Sequence, residues 1–286
     1  DAATAAFIRV IRSKDDKAVK AALTANPALI KATDADGSSP LHHAAAFGSI
    51  DTMRLLIAKG ADVKALNRRK AQPLHWTIGD IARVKILLDN GVDPNATTGD
   101  GRTALYLATL AENNFDVIQL LLAKGADPNK KSVNGNSVLA AAAGRGDVKT
   151  VRALLAANAD VNATAGTGNV PLHAAAMSRS LEAVQLLVER GANVNALNKR
   201  KLSVLSNAAM YGSEDIVKYL LAKGAKVNEQ DERGYSALMY AAYSEATPAA
   251  IVKELIAKGA DLDCTGEGET AQTLAAKRGD TEVARL

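Results

Sequence analysis

Aromatic side chains are scarce in this sequence, at 3% of residues, and tryptophan occurs once. That scarcity, beside abundant Ala and Leu, disfavours a sheet-rich core and favours many short helices. A single cysteine, Cys264, excludes an intrachain disulfide. With no histidine near it, it reads as a small hydrophobe. No apolar run approaches the roughly 20 residues of a membrane-spanning helix. An excess of one charge is also missing. The 35 Lys and Arg against 31 Asp and Glu leave +4, too mild to imply a nucleic-acid partner by itself. Catalytic signatures are absent too: no Gly-x-Ser-x-Gly elbow occurs, and no Gly-rich phosphate loop ending in Gly-Lys-Ser/Thr. "GDGR" at Gly99 lacks the ligand spacing of a calcium loop. Acidic pairs fall on turns or outer helix faces, where they read as solvated surface. The chain reads as non-enzymatic, with no cofactor and no metal.

What is present is a period. "LLIAKGADVKA" at Leu55 returns as "LLDNGVDPNA" at Leu87, "LLAKGADPNK" at Leu121 and "LLAANADVNA" at Leu154. It comes again as "LLVERGANVNA" at Leu186, "LLAKGAKVNE" at Leu220 and "LIAKGADLDC" at Leu255. A second phrase keeps step: "SPLHHAA", "QPLHWT", "TALYLAT", "SVLAAAA", "VPLHAAA", "SVLSNAA" and "SALMYAA". Its leucines, Leu41, Leu74, Leu105, Leu139, Leu172, Leu205 and Leu238, are spaced 33, 31, 34, 33, 33 and 33 residues apart.

One unit shows the physics. Ser39 caps a short helix, Leu41 to Phe47, with Pro40 at its first turn, where a missing N–H costs nothing. Gly48 ends it, as a residue that tolerates a left-handed cap. Asp51 opens a second helix that points Met53, Leu55, Leu56 and Ile57 at the core, and Gly60 stops it. A hairpin-like finger then runs out and back to the next unit. No unit can bury its own apolar faces, so stacking has to bury them.

The repeated T/S-P-L-H-x-A phrase at a period of 33 resembles the ankyrin repeat. The resemblance covers nearly the whole chain and recurs seven times. It implies an all-α solenoid of stacked helix-turn-helix units with hairpin-like fingers. Residues 1–286 are expected to form a single array: a polar N-terminal capping repeat at 1–33, seven internal repeats at 34–264 and an incomplete repeat at 265–286. Arg9, Arg12, Lys14, Lys17 and Lys20 mark the outer face of the cap. Three units depart in length, losing two residues in "WTIGDIARV" and gaining one in "TLAENNFDV" and two in "YSEATPAAIV". The resemblance also implies that His42, His75 and His173 tie neighbouring hairpins together by hydrogen bonds. Zinc shared by His42 and His75 is excluded, because equivalent atoms of adjacent repeats lie about 10 Å apart while zinc needs both nitrogens near 2.1 Å. His43 points elsewhere on its helix.

Finger tips carry two basic knots, Asn67-Arg68-Arg69-Lys70 and Asn198-Lys199-Arg200-Lys201. Their lysines stand where Gly37, Gly101, Gly135, Gly168, Gly234 and Gly268 stand in other units. Glycine there points to positive φ. Either the lysines take a strained turn or those two turns differ. The knots are four repeats apart, roughly 40 Å, beyond the screening length of about 8–10 Å, and acidic tips interrupt them. A continuous track for nucleic acid is therefore not expected.

By resemblance, a concave groove is lined by the tips and the ends of the first helices. Candidate partner-binding residues are Phe47, Arg68, Arg69, Lys70, Trp76, Arg145, Met177, Lys199, Arg200, Lys201, Met210, Tyr211, Tyr240 and Tyr243, several of them of the types enriched at binding hot spots. Trp76 and Tyr240 have the alternative role of filling space between repeats. The expected function is a monomeric, non-catalytic protein-binding scaffold whose partner is another protein or another domain of the parent chain. The rivals are a spacer or recognition module within a larger, exported bacterial protein, and a polyanion binder. An opening without Met and a last repeat that stops inside its second helix are expected of a removed leader or a chain that continues.

Overall fold

The computed structural model describes residues 2–245, 248–279 and 282–285. Two compact units, Asp1–Val133 and Asn134–Leu286, are taken in turn.

The first unit opens with α1 (Ala2–Arg12) and α2 (Asp16–Ala25). Then come α3 (Pro40–Phe47) with α4 (Ile50–Ala58), a single 3₁₀ turn (Pro73–Trp76) with α5 (Ile81–Asp89), and α6 (Ala104–Leu110) with α7 (Phe115–Ala123). The first elements α1, α3, the 3₁₀ turn and α6 stack in one row, and α2, α4, α5 and α7 in a second. Arg9, Arg12, Lys14, Lys17 and Lys20 are all exposed, as a cap requires. The second unit repeats the plan. Its first row is α8 (Val138–Gly144), α10 (Pro171–Ser178), α12 (Val204–Met210), α14 (Ala237–Tyr243) and α16 (Ala271–Arg278). Behind it stand α9 (Val148–Ala156), α11 (Leu181–Glu189), α13 (Glu214–Ala222) and α15 (Ala249–Ala257). A last 3₁₀ turn spans Val283–Arg285. Among the described residues there is no strand beyond isolated antiparallel pairs at the finger bases, such as Leu197 with Ser203.

The core follows the leucine period. Leu41, Leu74 and Leu105 in the first unit, and Leu139, Leu172, Leu205 and Leu238 in the second, are sealed from solvent. Leu56, Leu87, Leu121, Leu154, Leu187, Leu220 and Leu255 of the second helices are equally buried. Alanines between them, among them Ala44, Ala175 and Ala208, let first helices approach closely.

Three local readings change. Helix α4 starts at Ile50 rather than Asp51, because Ser49 Oγ accepts from the Thr52 N–H at 2.8 Å and so caps the helix two residues before Asp51. Its buried stripe is Thr52, Met53 and Leu56, at helical spacing, while Leu55 and Ile57 are half-buried on its flanks. Gly48 is not left-handed; its φ is −71°. Glycine is required there because a Cβ would lie 2.8 Å from Ala44 Cα. The two-residue deletion shortens a first helix to the 3₁₀ turn at Pro73–Trp76. The one-residue gain sits between α6 and α7, where Asn113 takes φ +57°. The gain in "YSEATPAAIV" falls partly on Ala246 and Thr247, outside the described residues.

Candidate partner-binding surface

Both basic finger tips are built around one side chain. Asn67 Oδ1 accepts from the N–H groups of Arg69 and Ala71, both at 3.0 Å, while Lys70 N–H closes the turn on Asn67 O at 2.8 Å. Asn198 does the same for Arg200 (2.9 Å) and Leu202 (3.0 Å), with Lys201 N–H on its carbonyl at 2.9 Å. Asp34 and Asp231 play this part elsewhere. With the amide occupied inside the turn, Arg68, Arg69, Lys70, Lys199, Arg200 and Lys201 all project into solvent. Both lysines keep the glycine conformation, with φ +55° and +57°, so the knots are strained turns of the same kind.

Consecutive tips are joined main chain to main chain. In the first unit Arg68 N–H donates to Asp36 O, Gly99 N–H to Arg69 O and Val133 N–H to Asp100 O, at 2.7–3.0 Å. In the second, Gly166 N–H donates to Asn134 O, Lys199 N–H to Thr167 O and Glu232 N–H to Arg200 O, at 2.9–3.0 Å. This close approach is what demands glycine: a Cβ on Gly168 would lie 2.5 Å from Lys199 N.

The histidines act as the repeat implies. In His42, Nδ1 accepts the Ser39 N–H at 3.1 Å, which places the proton on Nε2, and Nε2–H donates to Ala71 O at 2.9 Å. His75 bridges Gln72 N–H and Ala96 O, and His173 bridges Val170 N–H and Leu202 O. Burial pulls the pKa of all three below the ordinary imidazole value. His43 turns the other way and pairs with Asp34 Oδ2 at 2.8 Å.

First-helix ends supply the apolar contacts. Phe47 is 44% exposed with the Arg12 guanidinium 4.4 Å above its ring. Met177, Tyr211 (36%) and Tyr243 (63%) are exposed at or just past the ends of the first helices in three successive repeats of the second unit. Met210 is half-buried and shares a groove with Tyr243, and Arg145 is exposed. Trp76 is half-buried, edge-on to His42 and His43, and shares a groove with Arg69. Tyr240 is 6% exposed. Its hydroxyl donates to Asp231 Oδ2 at 2.6 Å and accepts from Arg233 at 2.9 Å, so it packs the repeat and braces a tip.

Two sets of residues escaped the sequence reading. Arg83 reaches from α5 to the end of α3, donating to Ala45 O at 2.8 Å and Gly48 O at 2.7 Å, where a cation meets exposed helix carbonyls. An asparagine in the "GADVNA" phrase grips the following repeat with both ends of its amide. Asn195 Nδ2 donates to Gly224 O at 3.1 Å and its Oδ1 accepts from Lys226 N–H at 2.9 Å. Asn95, Asn162 and Asn228 repeat this pair of bonds. Its recurrence was the available signal. Among the described residues no group of three or more His, Cys, Asp or Glu is placed to hold a metal ion, and no helix is long and apolar enough to cross a membrane.

Comparison with known proteins agrees with this geometry. The family model described as "Ankyrin repeats (3 copies)" matches residues 7–98, 66–132, 105–198, 172–265 and 205–286. The chain is similar to the human palmitoyltransferase ZDHHC13, 35% identical over 82 residues, which is 28% of this chain and 13% of that protein. It is similar to human transient receptor potential cation channel subfamily A member 1, 32% identical over 99 residues, or 34% of this chain and 9% of the channel. The Drosophila melanogaster E3 ubiquitin-protein ligase Ufd4 is 32% identical over 123 residues, or 42% of this chain and 4% of the ligase. The chain thus spans less than a fifth of the length of these curated relatives. Stacked helix pairs, histidine ties between fingers and a family match along nearly every residue lead to one conclusion: the chain belongs to the ankyrin-repeat family.

Proposed function

We propose that this chain is a non-catalytic protein-binding scaffold whose partner is another protein or another domain of its parent chain. Ankyrin repeats are generally protein–protein interaction modules. One observation carries the finer reading. The sequence has ten aromatic residues, and the three exposed ones, Phe47, Tyr211 and Tyr243, all lie five or six positions after an anchoring leucine. An aromatic ring left in water gains free energy when a partner covers it, and such rings are frequent hot spots. Within each unit the tip-to-tip bonds and asparagine amides hold the repeats in place, so little order has to be gained there on binding. Basic tips held outward favour acidic spots on the partner.

Affinity capture on the immobilised chain tests this. A Phe47→Ser/Tyr211→Ser variant, with its fold verified by circular dichroism, should lose at least tenfold in affinity for a protein that the parent retains. Equal retention by both overturns the assignment of these residues.

A further inference from the structure

The repeat that begins at Gln72 has a defect its neighbours lack. Its first element is a 3₁₀ turn of four residues, Pro73–Trp76, flanked by α3 with eight residues and α6 with seven. Over this stub lies an open cavity of about 500 Å³, a size that takes one or two side chains of a ligand. Trp76 and Leu107 supply its apolar wall, and Arg69, Thr98, Asp100 and Arg102 its polar rim.

The site is built and its charges are unequally committed. Trp76 is fixed by two edge contacts, to His42 at 5.4 Å and His43 at 5.6 Å between ring centroids. On one rim, Asp100 Oδ2 binds Arg102 Nε at 2.8 Å and Asp100 Oδ1 accepts from Thr98 Oγ1 at 2.5 Å, so that carboxylate and that guanidinium answer each other. On the other rim the Arg69 main chain is held at both ends, its N–H by Asn67 Oδ1 and its carbonyl by Gly99 N–H. The Arg69 guanidinium has no hydrogen bond or ion pair among the described residues, and Arg68 and Lys70 flank it. An unpaired guanidinium lining the same groove as an indole and a leucine matches a carboxylate next to an apolar side chain, because its planar fork binds a carboxylate through two parallel hydrogen bonds.

We propose that the groove over the shortened repeat binds an extended acidic peptide segment of a protein partner, one apolar side chain lying against Trp76 and Leu107 and a neighbouring carboxylate on Arg69. This rests on the scaffold reading above and names the partner chemistry at one place on it.

Trp76 is the sole tryptophan, so its emission reports on this groove alone. The full chain is titrated to millimolar concentration with a tryptophan-free peptide, acetyl-Ser-Glu-Leu-Asp-Leu-Ser-amide, and with its counterpart carrying Lys for Glu and Asp. A saturable change in Trp76 emission is expected for the acidic peptide only. Arg69→Glu should weaken it at least tenfold, Arg69→Lys should retain part of it, and Lys59→Ser, at an exposed position after α4, should leave it unchanged. No saturable change, equal response to both peptides, or full affinity in Arg69→Glu overturns the proposal. A partner lost by the Phe47/Tyr211 variant alongside a silent Trp76 titration would sink this site and leave the scaffold reading standing. A working titration with no partner lost would sink the assignment of Phe47 and Tyr211 and leave this groove standing.

Discussion

Glycine and lysine occupy the same left-handed tip position in different repeats, and exchanging them in opposite directions gives a sharp test. Gly168 has φ +83°, and a Cβ there would lie 2.5 Å from Lys199 N and 3.1 Å from Asn198 C. Gly168→Ala therefore meets two costs. The left-handed conformation with a Cβ costs about 1–2 kcal/mol. Pushing the next tip away weakens the bond from Lys199 N–H to Thr167 O, 3.0 Å long, which is worth about 1 kcal/mol. The expected loss is about 2–3 kcal/mol. Lys201→Gly works the other way. It removes about 1–2 kcal/mol of strain at φ +57° and returns about 0.4–1 kcal/mol to the freer unfolded chain. The net should be a gain of about 0.5 kcal/mol. Urea unfolding followed by far-UV circular dichroism reads both, as midpoint shifts of opposite sign at constant slope. An unchanged midpoint for Gly168→Ala, or a lowered one for Lys201→Gly, would show that the tip conformation is not strained as described.

Two further outcomes follow from the bonds between repeats. His42, His75 and His173 are each held below 6.5 by burial, so the unfolded chain binds more protons than the folded one just below that pH. Stability is then complete above about pH 6.5 and falls as pH drops toward 5, by up to about 1.4 kcal/mol per pH unit for each histidine. Urea midpoints at pH 7 and pH 5 check this, and His173→Gln should flatten the dependence; a pH-independent midpoint refutes it. Asn195→Ala deletes the bonds to Gly224 O and from Lys226 N–H and should cost about 1–2 kcal/mol. Asn195→Asp, which keeps only the acceptor, should fall between. Equal stability of all three proteins would show that the amide contributes nothing.

What was legible in the sequence is what a single repeat decides for itself. Leu41 to Leu238 mark the core because every unit must bury one face against the next, and that requirement is written at a fixed period. Gly168 and its equivalents announce positive φ because no other residue takes it without strain. The histidine ties came through the family phrase, and the structure places them where the phrase implies. Interactions between repeats were harder to read. Arg83 capping α3 needs the register of two helices 35–38 residues apart. Tip-to-tip bonds use main-chain groups that carry no side-chain signature. Of the candidate surface, Phe47, Tyr211 and Tyr243 are exposed, while Tyr240 takes the space-filling alternative, and its bonds to Asp231 and Arg233, nine and seven residues earlier, are what the helix pattern could not announce.

The asparagine clamps have a consequence for how such a chain can change. Each amide holds its neighbour by a carbonyl and an N–H: the carbonyl comes each time from a left-handed glycine, Gly125, Gly191, Gly224 or Gly259, while the N–H comes from Asp127, Asn193, Lys226 or Asp261, spanning both charges and neither. A copied or deleted repeat among those that carry the asparagine would find the same fittings on either side. Sequence at the donor position is free to drift while the asparagine and glycine keep the joint, which lets a lineage revise the outward face of one repeat without renegotiating its seams.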